Sequence, residues 1–189
     1  MPTVVRSRVI GASAERVWSL VADPHNLPRW WPETRRVEDV AGSAGARRST
    51  FTQVMTTSKG RTVRADHRCT AATAGQRIVW EQLLDGTPFE GFLRSAELEV
   101  RLGAAGEATE VTIEARRRLR GMSRLGSLLM RRATGRTLEQ ALDGTFLREC
   151  AAGRLGRGQT LVEPVPHPGD ALDVARRVEA ESALRPDRL

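Results

Sequence analysis

The sequence has 189 residues, 40% of them hydrophobic, which suits one domain with a sizeable core plus an appendage. Its two cysteines, Cys69 and Cys150, lie far apart and do not indicate a disulfide framework. No run of about 18 apolar residues marks a membrane span, and the opening residues lack the charged-then-apolar order of a signal peptide, so a reduced, cytoplasmic protein is expected. The formal net charge is +7, carried by Arg with Lys59 as the single Lys. Residues 115–132 are rich in Arg and contain no acid, a composition suited to nucleic acid, an anionic membrane surface, an acidic ligand or plain solvent. No helix-turn-helix, zinc-finger or RNP-like pattern accompanies it, so no nucleic-acid partner is expected. Transient contact with an anionic membrane surface stays open.

In chain order, residues 3–10 alternate and are rich in Val and Ile, which predicts a strand. Ser13 is a good N-cap for a helix carrying Ala14, Val17, Trp18 and Val21. Asp23 and Pro24 restart a second short helix that runs toward Trp31 and ends at Pro32. Six strand signals follow, at 34–41, 47–57, 61–72, 76–84, 89–102 and 109–117, with glycine in the turns between them. Their in/out alternation implies antiparallel pairing with one solvated face. The inward sets are Phe51, Gln53 and Met55; Val63, Ala65, His67 and Cys69; Ile78, Trp80 and Gln82; Ala96, Leu98, Val100 and Leu102; and Val111, Ile113 and Ala115.

Residues 122–150 read as helical, with one apolar stripe at Met122, Leu125, Leu129 and Ala133 and another at Leu138, Leu142 and Phe146. The stripes fall almost on opposite sides of one straight helix, which predicts a kink near Thr134 and Gly135. Residues 120–135 are accordingly expected to act as a movable cover. From 153 the chain turns Gly- and Pro-rich, and 153–189 is expected to be a linker and weakly helical tail beside a domain spanning 1–152.

The order is strand, two short helices, six strands, long helix. A sheet with one apolar face needs a cover, and the late helix is the natural one. The stretch 12–38 then resembles the opening of the START-related superfamily, often called SRPBCC, which includes polyketide cyclase/dehydrase-like proteins. The resemblance rests on Ala14, Glu15, Val17, Trp18, Leu20, Asp23, Asn26, Trp31 and Pro32, and on a family-like final helix around 135–149. It implies an α+β helix-grip fold: a seven-stranded curved antiparallel sheet wrapped around a long C-terminal helix. It also implies an internal cavity for a lipid- or polyketide-like hydrophobic molecule, with no cofactor. Cyclase, aromatase or dehydratase activity is the alternative, and a protein or RNA interaction module using the basic surface is the second alternative. A monomer or homodimer fits either. By the motif Trp31 packs under the turn, leaving Trp30 freer to line the cavity, while Trp18 is expected in the core.

Candidate ligand contacts are therefore Trp30, Phe51, Gln53, Met55, His67, Trp80, Phe92, Leu129 and Leu142. His67 is the side chain suited to proton transfer near neutral pH. Arg94 and Arg117 are inward by parity, although a bulge near Gly91 and Ser95 would turn Arg94 outward. An inward Arg implies a carboxylate, an anionic ligand or an opening to water. No third ligand accompanies His67 and Cys69 at metal-binding spacing, so no metal is expected.

Overall fold

The computed structural model describes residues 3–56, 60–121 and 124–143. Seven strands form one curved antiparallel sheet: β1 (Thr3–Ile10), β2 (Thr34–Ala41), β3 (Thr50–Thr56), β4 (Thr62–Thr73), β5 (Arg77–Leu83), β6 (Leu93–Ala105) and β7 (Ala108–Leu119). The strand order is β1-β7-β6-β5-β4-β3-β2, so each strand from β2 to β7 pairs with its sequence neighbours and β1 closes onto β7. Helices α1 (Ala14–Val21) and α2 (Leu27–Trp30) lie between β1 and β2, and α3 (Arg124–Asp143) follows β7. The expected tail, 153–189, lies outside the described residues, as do Met122, Phe146 and Cys150.

Local chemistry sets the helix starts. Ser13 Oγ accepts from the Arg16 amide, and Asp23 Oδ1 accepts from the His25 amide at 3.0 Å. Pro24 opens a 3-10 turn through Asn26 that feeds directly into α2. The loop after β2 folds back over the end of α1. Gly45 adopts φ +67°, its amide donates to Ala22 O, and a Cβ there would press on Ala22 and the Trp18 ring at 3.1–3.2 Å. Trp18 is accordingly half-buried at the edge of the core rather than central to it.

One apolar core joins Val17, Leu20 and Val21 of α1, Leu27 and Trp30 of α2, and Leu138, Ala141 and Leu142 of α3 to the inner face of the sheet. Strand β6 begins at Leu93, later than its sequence suggests. Residues 84–92 instead form successive turns, closed by amide-to-carbonyl bonds such as Thr87 to Leu84 and Phe92 to Phe89.

Helix α3 runs through Gly135 as one continuous helix, without a break there. The resolution lies in which residues form the stripe. Met130, Thr134, Leu138 and Leu142, spaced four apart, face inward, whereas Leu129 and Ala133 face solvent. A polar threonine in the stripe hides it from a hydrophobicity reading. Gly135 has its own reason: a Cβ there would lie 3.0 Å from the Arg6 guanidinium and 3.9 Å from Val4, so glycine lets the helix approach β1.

The outer face of β5–β7 carries an ion network. Glu99, 2% exposed, accepts from Arg77 Nε (2.6 Å), Arg116 Nη2 (2.9 Å) and Arg101 Nη1 (3.0 Å). Glu114 stands opposite Glu99 in the register, a like-charge pairing that destabilises unless cations intervene. Arg101 and Arg116 bridge the two, and Arg116 also holds Glu97. The Arg77 hydrogen bond and its companions pull the Glu99 carboxyl from 4.5 down to about 2. With a folded pKa below the unfolded one, the stabilisation is complete above pH 4.5 and is lost as pH falls through about 2. Glu99→Gln should therefore lower stability at pH 7 by about 1–3 kcal/mol and flatten the loss of urea midpoint between pH 5 and 3. A variant with unchanged midpoint at both pH values would contradict the network's role.

Candidate functional site

The inner face of the sheet is not filled. A cavity of about 330 Å³ lies over β3–β7, at the lower end of the range for small-molecule sites. Its walls are mostly apolar and aromatic, including Phe51, Met55, Trp80, Phe89 and Leu98. Leu27 and Trp31 close it from the α2 side and Met130 from α3. Phe92 and Glu33 are exposed and mark the opening.

The strand register explains which side chains meet. One row across the sheet runs Phe51↔His67↔Gln82, and another pairing sets Ala96↔Arg117. Continuing the β5–β6 register one residue past Glu81↔Glu97 places Gln82 against Ala96 and joins these into one row. On its core side lies a parallel apolar row, Cys69↔Trp80↔Leu98↔Ala115. The cavity floor is thus an aromatic and aliphatic surface crossed by one polar band.

Within the band, Gln53 Nε2 donates to Thr34 Oγ1 at 2.7 Å, and Gln53 Oε1 meets His67 Nε2 at 3.1 Å. With the Gln53 amide in this orientation its oxygen only accepts, which puts the imidazole proton on Nε2 and leaves Nδ1 its lone pair. The ring stacks on Phe51 with centroids 4.9 Å apart. Burial pushes the His67 pKa from 6.5 down to about 4, against a small opposing pull from Asp66. The imidazole is therefore neutral at physiological pH. The Gln82 side-chain nitrogen is buried with no hydrogen-bond partner. Arg117 points its guanidinium between β7 and α3, where Nη1 donates to Thr134 Oγ1 at 3.2 Å and contacts Met130 Sδ at 3.6 Å. Among the described residues no carboxylate pairs with it, and burial lowers its pKa.

The structure places Phe51, Gln53, Met55, His67, Trp80, Phe92 and Arg117 on the cavity wall. Four other candidates lie elsewhere. Trp30 is buried in the core, 2% exposed, with its ring at 90° to that of Trp31 and 5.5 Å away; Trp31, whose backbone has left the helix, takes the cavity position instead. Leu129 is 59% exposed because the inward stripe falls on Met130. Leu142 fills the core under the sheet. A register shift between Leu93 and Ser95 turns Arg94 to solvent. Phe89 and Met130 are wall residues that sequence reasoning misses: Phe89 sits in a turn where strand parity has no meaning, and Met130 lies one residue off the Leu stripe. Cys69 belongs to the core row, its thiol pushed up in pKa by burial. Among the described residues no cluster of three or more His, Cys, Asp or Glu converges as a metal site, and no helix is long and apolar enough to cross a membrane.

The sequence model of the polyketide cyclase / dehydrase and lipid transport family matches residues 1–145. The chain belongs to that family. No curated protein resembles the sequence significantly. Among solved structures, TTHA0849 from Thermus thermophilus is 23% identical, with a TM-score of 0.62 over 82% of this chain and 100% of that one. A START superfamily protein from Mycobacterium smegmatis is 17% identical, with a TM-score of 0.63 over 80% and 97%. The Zhui aromatase/cyclase from Streptomyces sp. R1128 is 17% identical, with a TM-score of 0.61 over 82% and 96%. At these identities the likeness establishes the helix-grip fold that this polyketide cyclase / dehydrase family member adopts.

The lowered His67 pKa has a sign that can be measured. Below pH 6.5 the unfolded chain takes up a proton that folded His67 resists, so this residue's share of stability falls between pH 6.5 and about 4. Imidazole resonances followed by NMR should show His67 as the neutral Nε2–H tautomer, unchanged from pH 8 to 5 and titrating near 4. A midpoint at or above 6.5 would contradict the partly buried, Gln53-tied ring.

Proposed function

We propose that this chain binds a hydrophobic small molecule, lipid- or polyketide-like, in the cavity between the sheet and α3. The observation that carries the reading is a space of about 330 Å³ walled by aromatic and aliphatic side chains and crossed by a single polar band. Apolar walls exclude water from a bound ligand, and a few fixed polar groups orient it. Membership of a family described by cyclase, dehydrase and lipid-transport members supports the same reading.

A second reading, catalysis on a polyketide-like ketone, draws on His67. Its proton is held on Nε2 by Gln53, leaving Nδ1 as a base within the polar band. In such a reaction Nδ1 would take a proton from carbon beside a carbonyl, with the Gln82 amide or Arg117 polarising the carbonyl oxygen. Loss of turnover with ligand binding retained, in His67→Gln, separates catalysis from binding alone.

The binding reading is tested with the neutral fluorophore N-phenyl-1-naphthylamine. The native protein should enhance its fluorescence at one site per chain. Ala96→Phe, which fills the cavity floor beside Gln82 and Arg117, should weaken that binding at least tenfold while leaving the melting temperature within a few degrees. No enhancement by the native protein, or equal binding by the variant, would defeat the proposal.

A further inference from the structure

Arg116 and Arg117 are adjacent in the chain and opposite in environment. Arg116, on the outer face, bonds the carboxylates of Glu97, Glu99 and Glu114. Arg117, on the inner face, has no carboxylate among the described residues. The cavity's two lining acids lie elsewhere: Glu97 is held by Arg116, and Glu33 stands exposed at the opening. A desolvated guanidinium without an anion is unfavourable, and its environment is completed by one.

The free edge of Arg117 indicates what kind of anion. Both of its hydrogen bonds come from Nη1 and go to the neutral acceptors Thr134 Oγ1 and Met130 Sδ. Nε and Nη2 have no partner among the described residues. Together they present two parallel N–H groups, the edge that fits a carboxylate in a bidentate pair. Arg131 borders the same narrow cleft beneath α3 as Arg117 but is exposed to solvent. Two strand positions away across Ala96, the partnerless Gln82 amide nitrogen offers one further donor. The other described wall residues are mostly apolar. Neutral His67 adds no second charge.

Resting on the proposed binding function, we infer that the ligand is an organic monocarboxylate: its carboxylate sits on the Nε/Nη2 edge of Arg117, and its apolar body lies along Trp80, Leu98 and Phe51. A phosphate monoester, with a second charge and three oxygens to satisfy, matches a single guanidinium edge less well.

The test is competition against N-phenyl-1-naphthylamine by three ten-carbon compounds: decanoate, methyl decanoate and decan-1-ol. At pH 7 decanoate should displace the fluorophore at concentrations at least tenfold lower than the ester or the alcohol. Arg117→Gln should bring decanoate to the ester's level while leaving the ester's own displacement within twofold. Arg117→Lys, which keeps the charge but loses the fork, should retain only part of the preference. If the native protein binds acid and ester equally, the carboxylate inference is overturned while the cavity reading stands. If neither compound nor the fluorophore binds, the cavity reading falls with it. The acid-to-ester comparison in the native chain needs no variant, so it decides the matter even where Arg117→Gln does not fold.

Discussion

Among the described residues the sheet is wider than its helical cover. Helix α3 packs chiefly on β1, with a smaller contact on β7, while α1 presses on β6 and β7 and α2 on β2. These helices and the inner face of the sheet make one continuous core. Over the middle strands no helix among the described residues presses closely on the inner surface, and the cavity lies there. Close packing elsewhere makes this gap informative, since interiors ordinarily leave few voids larger than a water molecule.

The two-residue period of a strand then assigns every group its medium. In β7, Glu114 and Arg116 face outward into the ion network, and Ala115 and Arg117 face inward. The same period in β6 sends Glu97 and Glu99 outward and Ala96 and Leu98 inward. On β6 and β7 neutralisation is thereby concentrated on the outer face, where three arginines surround a carboxylate that is almost fully covered. On the inner face of β7, Arg117 has only neutral partners among the described residues. Stability and the candidate chemistry occupy two sides of the same strands.

Much of this was legible in the sequence. Alternation in β3, β4, β5 and β7 placed Phe51, His67, Trp80 and Ala115 on one face, and the caps at Ser13 and Asp23 marked the early helices. The Val17, Trp18 and Trp31–Pro32 pattern pointed to the family. What stayed hidden depended on tertiary or local backbone geometry. The tandem tryptophans exchange roles because α2 ends between them, turning one ring into the core and the next into the cavity. The inward stripe of α3 uses Thr134, a residue no hydrophobic pattern selects, and Gly135 allows a close approach to β1. Arg94 and Arg117 look alike by parity; the bulge that Gly91 and Ser95 make plausible is present beside Leu93 and separates them. The partnerless edge of Arg117 has no sequence signature, since it depends on which carboxylates Arg116 has already engaged.

Crystals grown with 10-bromodecanoic acid test most directly whether the gap over β3–β7 is a ligand site with its charged anchor at Arg117. Bromine is located by anomalous scattering independently of the protein phases. The expected result is a bromine peak inside the cavity among the apolar walls, with the carboxylate against Arg117. Bromine found only at the protein surface, or a carboxylate turned away from Arg117 toward solvent, would contradict it.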